Sequence, residues 1–233
     1  MELNVFLIMI LCIETSSTVC SVALFSQRKL VALEESFIAK NHSSVIIPML
    51  DQLMEKAAVS YEQLKAVAIS SGPGSYTGLR IGVSTAKGFC DALSIPLISV
   101  PTLQAIAKGF LHSSDITQGF VCPMFDARRM EVYYWLGDAD GNEVHEVAPL
   151  VLDENAFEEE LNKEQVYFVG EGSKKASGVL KHHNAVFEPD FSPSARWLGL
   201  IAQEKFAKGL FEDLAYFEPF YLKETVITAK KSS

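Results

Sequence analysis

The segment 70–82, with the sequence SSGPGSYTGLRIG, constrains the fold of this chain more than any other. It follows the apolar run 66–69, which is typical of a short buried strand. It leads into residues 79–93, where apolar and small residues recur at helical spacing. The glycines and the proline of this segment allow backbone angles and close approaches that other residues resist. The sequence therefore predicts a strand, a glycine-rich turn and a helix in succession.

A glycine-rich turn before a helix can bind phosphate, because free backbone N–H groups and the helix dipole point into it. Two known phosphate-binding patterns fail here. A Walker loop has Lys and then Ser or Thr after its last glycine, where this chain has Leu79 and Arg80. The dinucleotide fingerprint has two residues between its second and third glycines, whereas three separate Gly74 from Gly78. Gly82 continues a four-residue spacing of small residues that favours close helix packing. Both interpretations stay open, and packing is favoured.

The composition is that of a folded globular protein. Of 233 residues, 48% are hydrophobic, and the net charge is −9. The 20 basic residues are spread along the chain without a cluster, which disfavours direct, autonomous binding to nucleic acid. The four cysteines have no CxxC spacing, so we expect them to be reduced core residues of a cytoplasmic protein: Cys12, Cys20, Cys90 and Cys122.

The beginning of the chain is apolar but is not expected to span a membrane. Residues 3–13 contain one polar residue, yet the run is too short to cross a bilayer. It lacks the positive start of a secretion signal, so we expect neither export nor membrane association. We interpret residues 1–8 as an extension from an upstream start codon.

The predicted elements form two lobes of similar construction, residues 1–112 and residues 113–233. Each lobe begins with three strands joined by tight turns, which predicts an antiparallel meander. In the first lobe, Asn41 is the predicted N-cap of a helix that Pro48 kinks or delays. The first lobe has predicted strands at 10–14, 19–25, 30–38, 66–69 and 96–100, and predicted helices at 42–57, 79–93 and 102–111. The second has predicted strands at 120–125, 131–135, 144–152 and 166–169, and predicted helices at 156–161 and 192–206.

This order predicts an α/β fold of two duplicated lobes, each a mixed sheet with an antiparallel meander and crossover helices. Duplicated lobes of this kind are typical of actin-like proteins and sugar kinases.

Five motifs, spread over nearly the whole chain, resemble the TsaB (YeaZ) family. The resemblance implies two actin-like lobes and a role in bacterial synthesis of threonylcarbamoyladenosine in tRNA. The motifs are CIETSS at 12–17, HSS at 42–44 with Pro48, GPGSYTGLRIG at 72–82, DARRMEVY at 126–133 and PFYL at 219–222. Within them, seven residues are interpreted as structural: Gly72, Pro73, Gly74, Gly78, Asp126, Arg128 and Glu131.

The resemblance further implies a non-catalytic scaffold subunit that binds a TsaD-like catalytic subunit. A small TsaE-like ATPase joins the pair, and tRNA binds through the complex. Without its partner the same surface is expected to form a homodimer. The partner surface is expected on the two first-lobe helices, whose apolar residues occupy more than one face; composition alone equally allows burial within the lobe. The expected interface residues are His42, Ile46, Leu50, Tyr76, Arg80, Gly82, Val83 and Lys87.

We expect no catalytic residue, no metal ligand and no cofactor intrinsic to the chain. The catalytic relatives have two histidines one helical turn apart as metal ligands, whereas here Ile46 follows His42 at that spacing. The first hairpin turn lacks the aspartate and the glycine of phosphate-binding loops in this fold. Nucleotide is therefore expected only at the junction between subunits. The weak candidates for binding it are Glu14, Thr15, Ser16, Gly170 and Gly172.

Three alternatives remain. An autonomous actin-like ATPase or kinase would use the Glu14 turn and residues 170–172, and would hydrolyse ATP without a partner. A metallopeptidase would contain bound metal, although the histidine pair is missing. A stand-alone binding module for another protein would be recovered with that protein from the native cell.

Overall fold

The computed structural model describes residues 8–38 and 41–222. The predicted upstream extension therefore lies outside the described residues, apart from Ile8. The described chain forms two five-stranded mixed sheets with helices between and outside them.

The first sheet has the strand order β3-β2-β1-β4-β5. Its central strand β1 pairs antiparallel with β2 and parallel with β4, which gives the predicted meander followed by crossover connections. All six residues of β1 are buried, as its continuous apolar run predicts for a strand covered on both faces. The strands are β1 (Met9–Glu14), β2 (Cys20–Ser26), β3 (Lys29–Ser36), β4 (Leu64–Ser70) and β5 (Leu97–Val100).

Three helices follow the strands of the first sheet: α1 (His42–Ala57), α2 (Tyr76–Leu93) and α3 (Thr102–Ser113). The α1 helix continues through Pro48. Asn41 is the N-cap of α1, as predicted, and its carbonyl accepts the N–H groups of Ser44 and Val45, although its side chain makes no capping bond. The α2 helix starts at residue 76, earlier than predicted, because the Ser75 side chain accepts the Gly78 N–H at 3.2 Å.

The second sheet repeats the topology of the first, with the order β8-β7-β6-β9-β10. The duplicated α/β architecture is thereby confirmed. Sequence reasoning missed α5 and β10, because short apolar runs alternate there with charged and polar residues. The strands are β6 (Phe120–Asp126), β7 (Glu131–Asp138), β8 (Glu143–Val151), β9 (Val166–Val169) and β10 (Ala185–Glu188). The helices are α4 (Glu158–Leu161), α5 (Ser173–Val179) and α6 (Ala195–Ala207).

The two sheets and the helices stack in five layers. The α1 and α2 helices cover the outer face of the first sheet, and α4 and α5 cover the outer face of the second. Between the sheets, α6 packs on β1 while α3 packs on β6, and the two helices contact each other. The outer helices α1 and α2 thus lie at one end of the stack.

The predicted division at residues 112 and 113 does not describe this packing. Leu103 and Ile106 of α3 belong to a core with the second sheet. Ala195 and Leu198 of α6 belong to a core with the first sheet. Ala105 of α3 also lies in the core of the first sheet, and α6 packs on that sheet although it follows the strands of the second, so the chain crosses back and the lobes interlock.

Candidate functional site

The glycine turn after β4 packs directly against the first hairpin turn. A Cβ atom on Gly78 would lie 2.0 Å from the Thr15 carbonyl oxygen, and one on Gly74 would lie 2.5 Å from that of Ser16. A Cβ on Gly82 would lie 2.2 Å from Thr15 Oγ1. These distances are far below van der Waals contact, so each of the three positions excludes a side chain. The contacts favour the packing interpretation of the motif over a phosphate-binding loop.

Backbone hydrogen bonds connect the same turn to two other elements. Ser75 N donates to the Ser16 carbonyl at 2.6 Å, which joins the turn to the first hairpin. Gly72 N donates to Thr102 Oγ1 and Thr102 N donates to the Gly72 carbonyl, each at 3.0 Å. The turn therefore fixes the start of α2 relative to β1 and α3.

The Glu14 side chain lies inside the first hairpin turn and accepts hydrogen bonds there. Its carboxylate is fully buried, and Oε1 accepts the Ser16 N–H at 2.5 Å and the Ser70 hydroxyl at 3.1 Å. Burial raises the pKa of the Glu14 carboxyl, and these hydrogen bonds oppose the rise only in part. The Ser16 N–H, which a phosphate in this turn would need, is already bonded to the Glu14 carboxylate. Glu14, Thr15 and Ser16 therefore do not fit a nucleotide phosphate.

The turn between β6 and β7 is the counterpart, in the second lobe, of the first hairpin turn, but its acidic side chain is exposed. Asp126 Oδ1 accepts the Arg128 N–H at 2.6 Å and the Lys175 ammonium at 2.7 Å. Lys175 also donates to the Glu131 carbonyl at 3.1 Å. Partial burial alone would raise the pKa of Asp126, but Lys175 and the Arg128 N–H lower it below its ordinary value. Asp126, Arg128 and Glu131 thus lie together around an ion pair that joins β6 to α5.

Sequence reasoning missed Lys175, which organises this turn. It lies 49 residues from Asp126, on the helix that was not predicted. No local signal could have found it.

Gly170 and Gly172 pack on β6 in the way that the first turn packs on β1. A Cβ on Gly172 would lie 2.8 Å from Met124 Cβ, and Gly172 N donates to the Met124 carbonyl at 3.1 Å. The cleft between the lobes, which Ser17, Thr18 and Gly170 help to line, has a volume of about 100 Å³. Ligand pockets of small-molecule size have roughly 300–1,000 Å³. The cleft is therefore smaller than such a pocket.

Of the predicted interface residues on α1, none is exposed. Ile46 and Leu50 are 2% and 0% exposed and pack in the core between α1 and the first sheet. His42 is buried as well, with Nε2 3.3 Å from the Val19 carbonyl oxygen. These three predictions are corrected: the apolar stripe of α1 faces its own sheet. Ile47, another apolar residue of α1, is 48% exposed on the outer face.

The predicted interface residues on α2 divide between the core and the surface. Gly82 and Val83 are buried against the first hairpin and the core, so they are corrected too. Tyr76 and Arg80 are exposed, and Arg80 donates to the Tyr76 hydroxyl at 2.9 Å. Lys87 is half-buried and donates to main-chain carbonyls of the C-terminal segment.

Among the described residues, neither the cysteines nor the metal-ligating residue types form a reactive centre. Burial raises the pKa of the Cys20 and Cys90 thiols to about 11, and all four cysteines are buried and unpaired. Across 8–38 and 41–222, no three His, Cys, Asp or Glu side chains are grouped as metal ligands. Within the same ranges no helix has the length and apolarity to cross a membrane.

Comparison with known proteins adds the family. The sequence model described as "TsaD: tRNA N6-adenosine threonylcarbamoyltransferase" matches residues 36–231. Over 232 residues the chain is 31% identical to the Escherichia coli (strain K12) protein named "tRNA threonylcarbamoyladenosine biosynthesis protein TsaB"; the match covers 95% of this chain and 97% of that protein. The chain belongs to the TsaB family.

Two solved structures that superpose on this chain show how widely its fold is shared. A Pseudomonas aeruginosa protein described as similar to the peptidase YeaZ is 25% identical, covers 93% of this chain and 100% of its own, and superposes with a TM-score of 0.82. The activator of 2-hydroxyisocaproyl-CoA dehydratase from Clostridium difficile, solved with bound ADPNP, is 12% identical over 88% of this chain and 99% of its own, with a TM-score of 0.51. The second likeness shows only that this fold is shared with a nucleotide-binding protein.

Proposed function

We propose that this chain is a non-catalytic scaffold subunit in the synthesis of threonylcarbamoyladenosine in tRNA. The observation that carries the role in this modification is the match, over nearly the full length of both chains, to the E. coli TsaB protein. The non-catalytic part is supported by the first hairpin turn, where Glu14 occupies the Ser16 N–H. The free, buried cysteines are consistent with a cytoplasmic location.

The proposed partner is a TsaD-like catalytic subunit, bound through the outer face of α1 and α2. That face is an outer layer of the molecule and exposes Ile47 and Tyr76, at 48% and 40%. Arg80 lies beside Tyr76, with its guanidinium carbon 5.4 Å from the centre of the ring. Aromatic and arginine side chains are enriched at protein interfaces, and Ile47 adds exposed apolar surface beside them. Because the TsaD sequence model also matches this chain, the partner is expected to share its fold.

The wider complex follows from this pairing. A TsaE-like ATPase and tRNA would join the two-subunit core, and this chain would activate its partner by favouring the competent conformation. Any nucleotide would bind at the junction between subunits and not within this chain. Alone, the chain would form a homodimer through the same face.

Two measurements test the proposal. Modification of tRNA by the partner set is expected to require this chain, and the purified chain alone is expected not to hydrolyse ATP. Modification at full rate without the chain would contradict the scaffold role. Saturable ATP hydrolysis by the chain alone would favour the autonomous ATPase instead.

The interface is tested by a charge on the exposed outer face. Ile47→Asp is expected to weaken binding of the TsaD-like subunit by roughly tenfold or more, as for a central interface residue. Val144→Asp places the same charge at a residue that is 43% exposed on β8 of the other lobe, and is expected to bind as the wild type does. Equal binding by all three proteins in titration calorimetry would exclude this face.

A further inference from the structure

The residues after α6 return to the first lobe and run along its edge. We name residues 210–222 the strap. Glu212 N donates to the Leu97 carbonyl at 2.9 Å, so the strap begins as a bridge on the edge strand β5. Phe220 N donates to the Ser71 carbonyl at 2.7 Å, so the strap ends on the glycine turn. The path between these points passes over α2.

Lys87 of α2 fastens the middle of the strap. Its ammonium group donates to the carbonyl oxygens of Phe217 at 3.0 Å and of Ala215 at 3.4 Å. Leu214 and Phe217 pack against the core beneath. The strap has little regular structure to satisfy its carbonyls, so a half-buried cation that binds two of them fixes its position.

The end of the strap joins the exposed start of α2. The rings of Tyr221 and Tyr76 have their centres 4.9 Å apart, and Arg80 lies over the Tyr76 ring. Burial raises the pKa of Tyr221, with Tyr76 and Glu218 acting in the same direction and Arg80 against it. Side chains from the helix and from the strap therefore form one cluster.

The strap exposes two large aromatic side chains. Tyr216 is 84% exposed and Phe220 is 49% exposed. Exposed aromatic residues beside an arginine are the composition of an interface centre. They continue the outer face on which Tyr76 lies, so that face does not end at the helix.

We propose that the strap forms a second part of the partner surface, and that Lys87 positions it against α2. This inference rests on the proposed function, since the occupant is the same TsaD-like subunit. Binding by the first lobe would then depend on residues 210–222, which follow the last helix of the chain's second half. Lys87, predicted as a direct contact, acts here through the strap.

The first test removes the hydrogen bonds from Lys87 to the strap. Lys87→Met keeps the length of the side chain but cannot donate, and it is expected to weaken binding of the TsaD-like subunit by roughly tenfold, because the strap would lie against α2 for a smaller fraction of the time. Hydrogen exchange at the Glu212 and Phe220 amides is expected to accelerate, while the midpoint of thermal unfolding changes little. Lys87→Arg can still donate and is expected to restore both readouts.

Two further variants keep the result interpretable. Tyr221→Ala removes the end of the strap cluster outside the core and is expected to weaken binding without changing exchange at Glu212. Lys108→Met removes an exposed lysine of α3 that lies 3.9 Å from Glu204, and is expected to match the wild type.

The outcomes separate the two proposals. If the wild type does not bind the TsaD-like subunit, the proposed function fails and this inference with it. If the wild type binds and Lys87→Met binds equally, only the strap inference is overturned. Tighter binding by Lys87→Met would also overturn it, because the strap would then cover the surface.

Discussion

The two lobes share one topology, but their first hairpin turns are chemically different. In the N-terminal lobe the Glu14 carboxylate is fully buried and bonds the N–H two residues ahead. In the C-terminal lobe the Asp126 carboxylate makes the same bond, yet its side chain is 46% exposed and pairs with Lys175. The same local geometry therefore supports a closed turn in one lobe and an ion-paired turn in the other.

The difference has its origin in the element that packs on each turn. The N-terminal turn lies under an 18-residue helix whose glycines approach it closely. The C-terminal turn is approached by α5, which has 7 residues and contributes a lysine in place of a small-residue face. Repetition of topology does not preserve burial, and burial determines which protonation state each carboxylate favours.

The largest expected effect is the difference in stability loss between alanine substitutions at Gly78 and at Gly172. Gly78→Ala is expected to lower the free energy of unfolding by about 3 kcal/mol, because the new Cβ would meet a backbone oxygen that cannot move without the hairpin. Gly172→Ala meets a side-chain carbon at 2.8 Å and main-chain carbons at 3.0 Å, so a smaller loss is expected. Urea unfolding of both variants measures the difference.

Gly88→Ala is the matched control on the same helix. Nothing lies within 4 Å of a Cβ at that position. The change is expected to stabilise the protein by about 0.5–1 kcal/mol, because alanine favours a helix interior more than glycine does. Equal losses at Gly78 and Gly172, or no loss at Gly78, would contradict the proposed difference between the turns.

The second effect concerns Glu14 and pH. Because the buried carboxyl retains its proton to a higher pH than in the unfolded chain, the folded state binds more protons above the ordinary pKa of 4.5. The free energy of unfolding is therefore expected to fall as pH rises through this window, by about 1.4 kcal/mol for each pH unit of pKa increase. Glu14→Gln is expected to remove this slope in a series of urea titrations from pH 4 to pH 7. A slope unchanged in the variant would show that another group causes it.

The smallest effect has the opposite sign and belongs to Asp126. Its pKa is lowered below the ordinary 3.8, so the stabilisation is present above that pH and is lost as pH falls below it. Lys175→Met is expected to cost less than about 1 kcal/mol at pH 7, because Asp126 is half exposed and solvent screens the pair. The exposed neighbour Lys174→Met should cost nothing. If the cost of Lys175→Met persisted below pH 3, packing and not the ion pair would be responsible.

Much of the fold is readable from local patterns. The meanders, the glycine turn, the first three helices and the duplicated lobes follow from apolar periodicity and turn residues, and the structure confirms them. The motifs at 12–17, 72–82 and 126–133 are enough to indicate the family, because each is a short run of neighbouring residues. Asn41 is the N-cap that the sequence predicts, yet its carbonyl and not its side chain bonds the first turn of the helix.

The amino-acid sequence by itself determined most of the elements, their order and the family, because these depend on residues close together along the chain. Tertiary structure alone decided which apolar residues lie at the surface. Ile46 and Ile47 are adjacent and chemically identical, yet one lies in the core and the other on the surface. Likewise, only the return of the chain to its first sheet brings Lys87 to the carbonyls of residues 128 and 130 positions away. Contacts over such distances depend on how the layers stack, which no local pattern encodes.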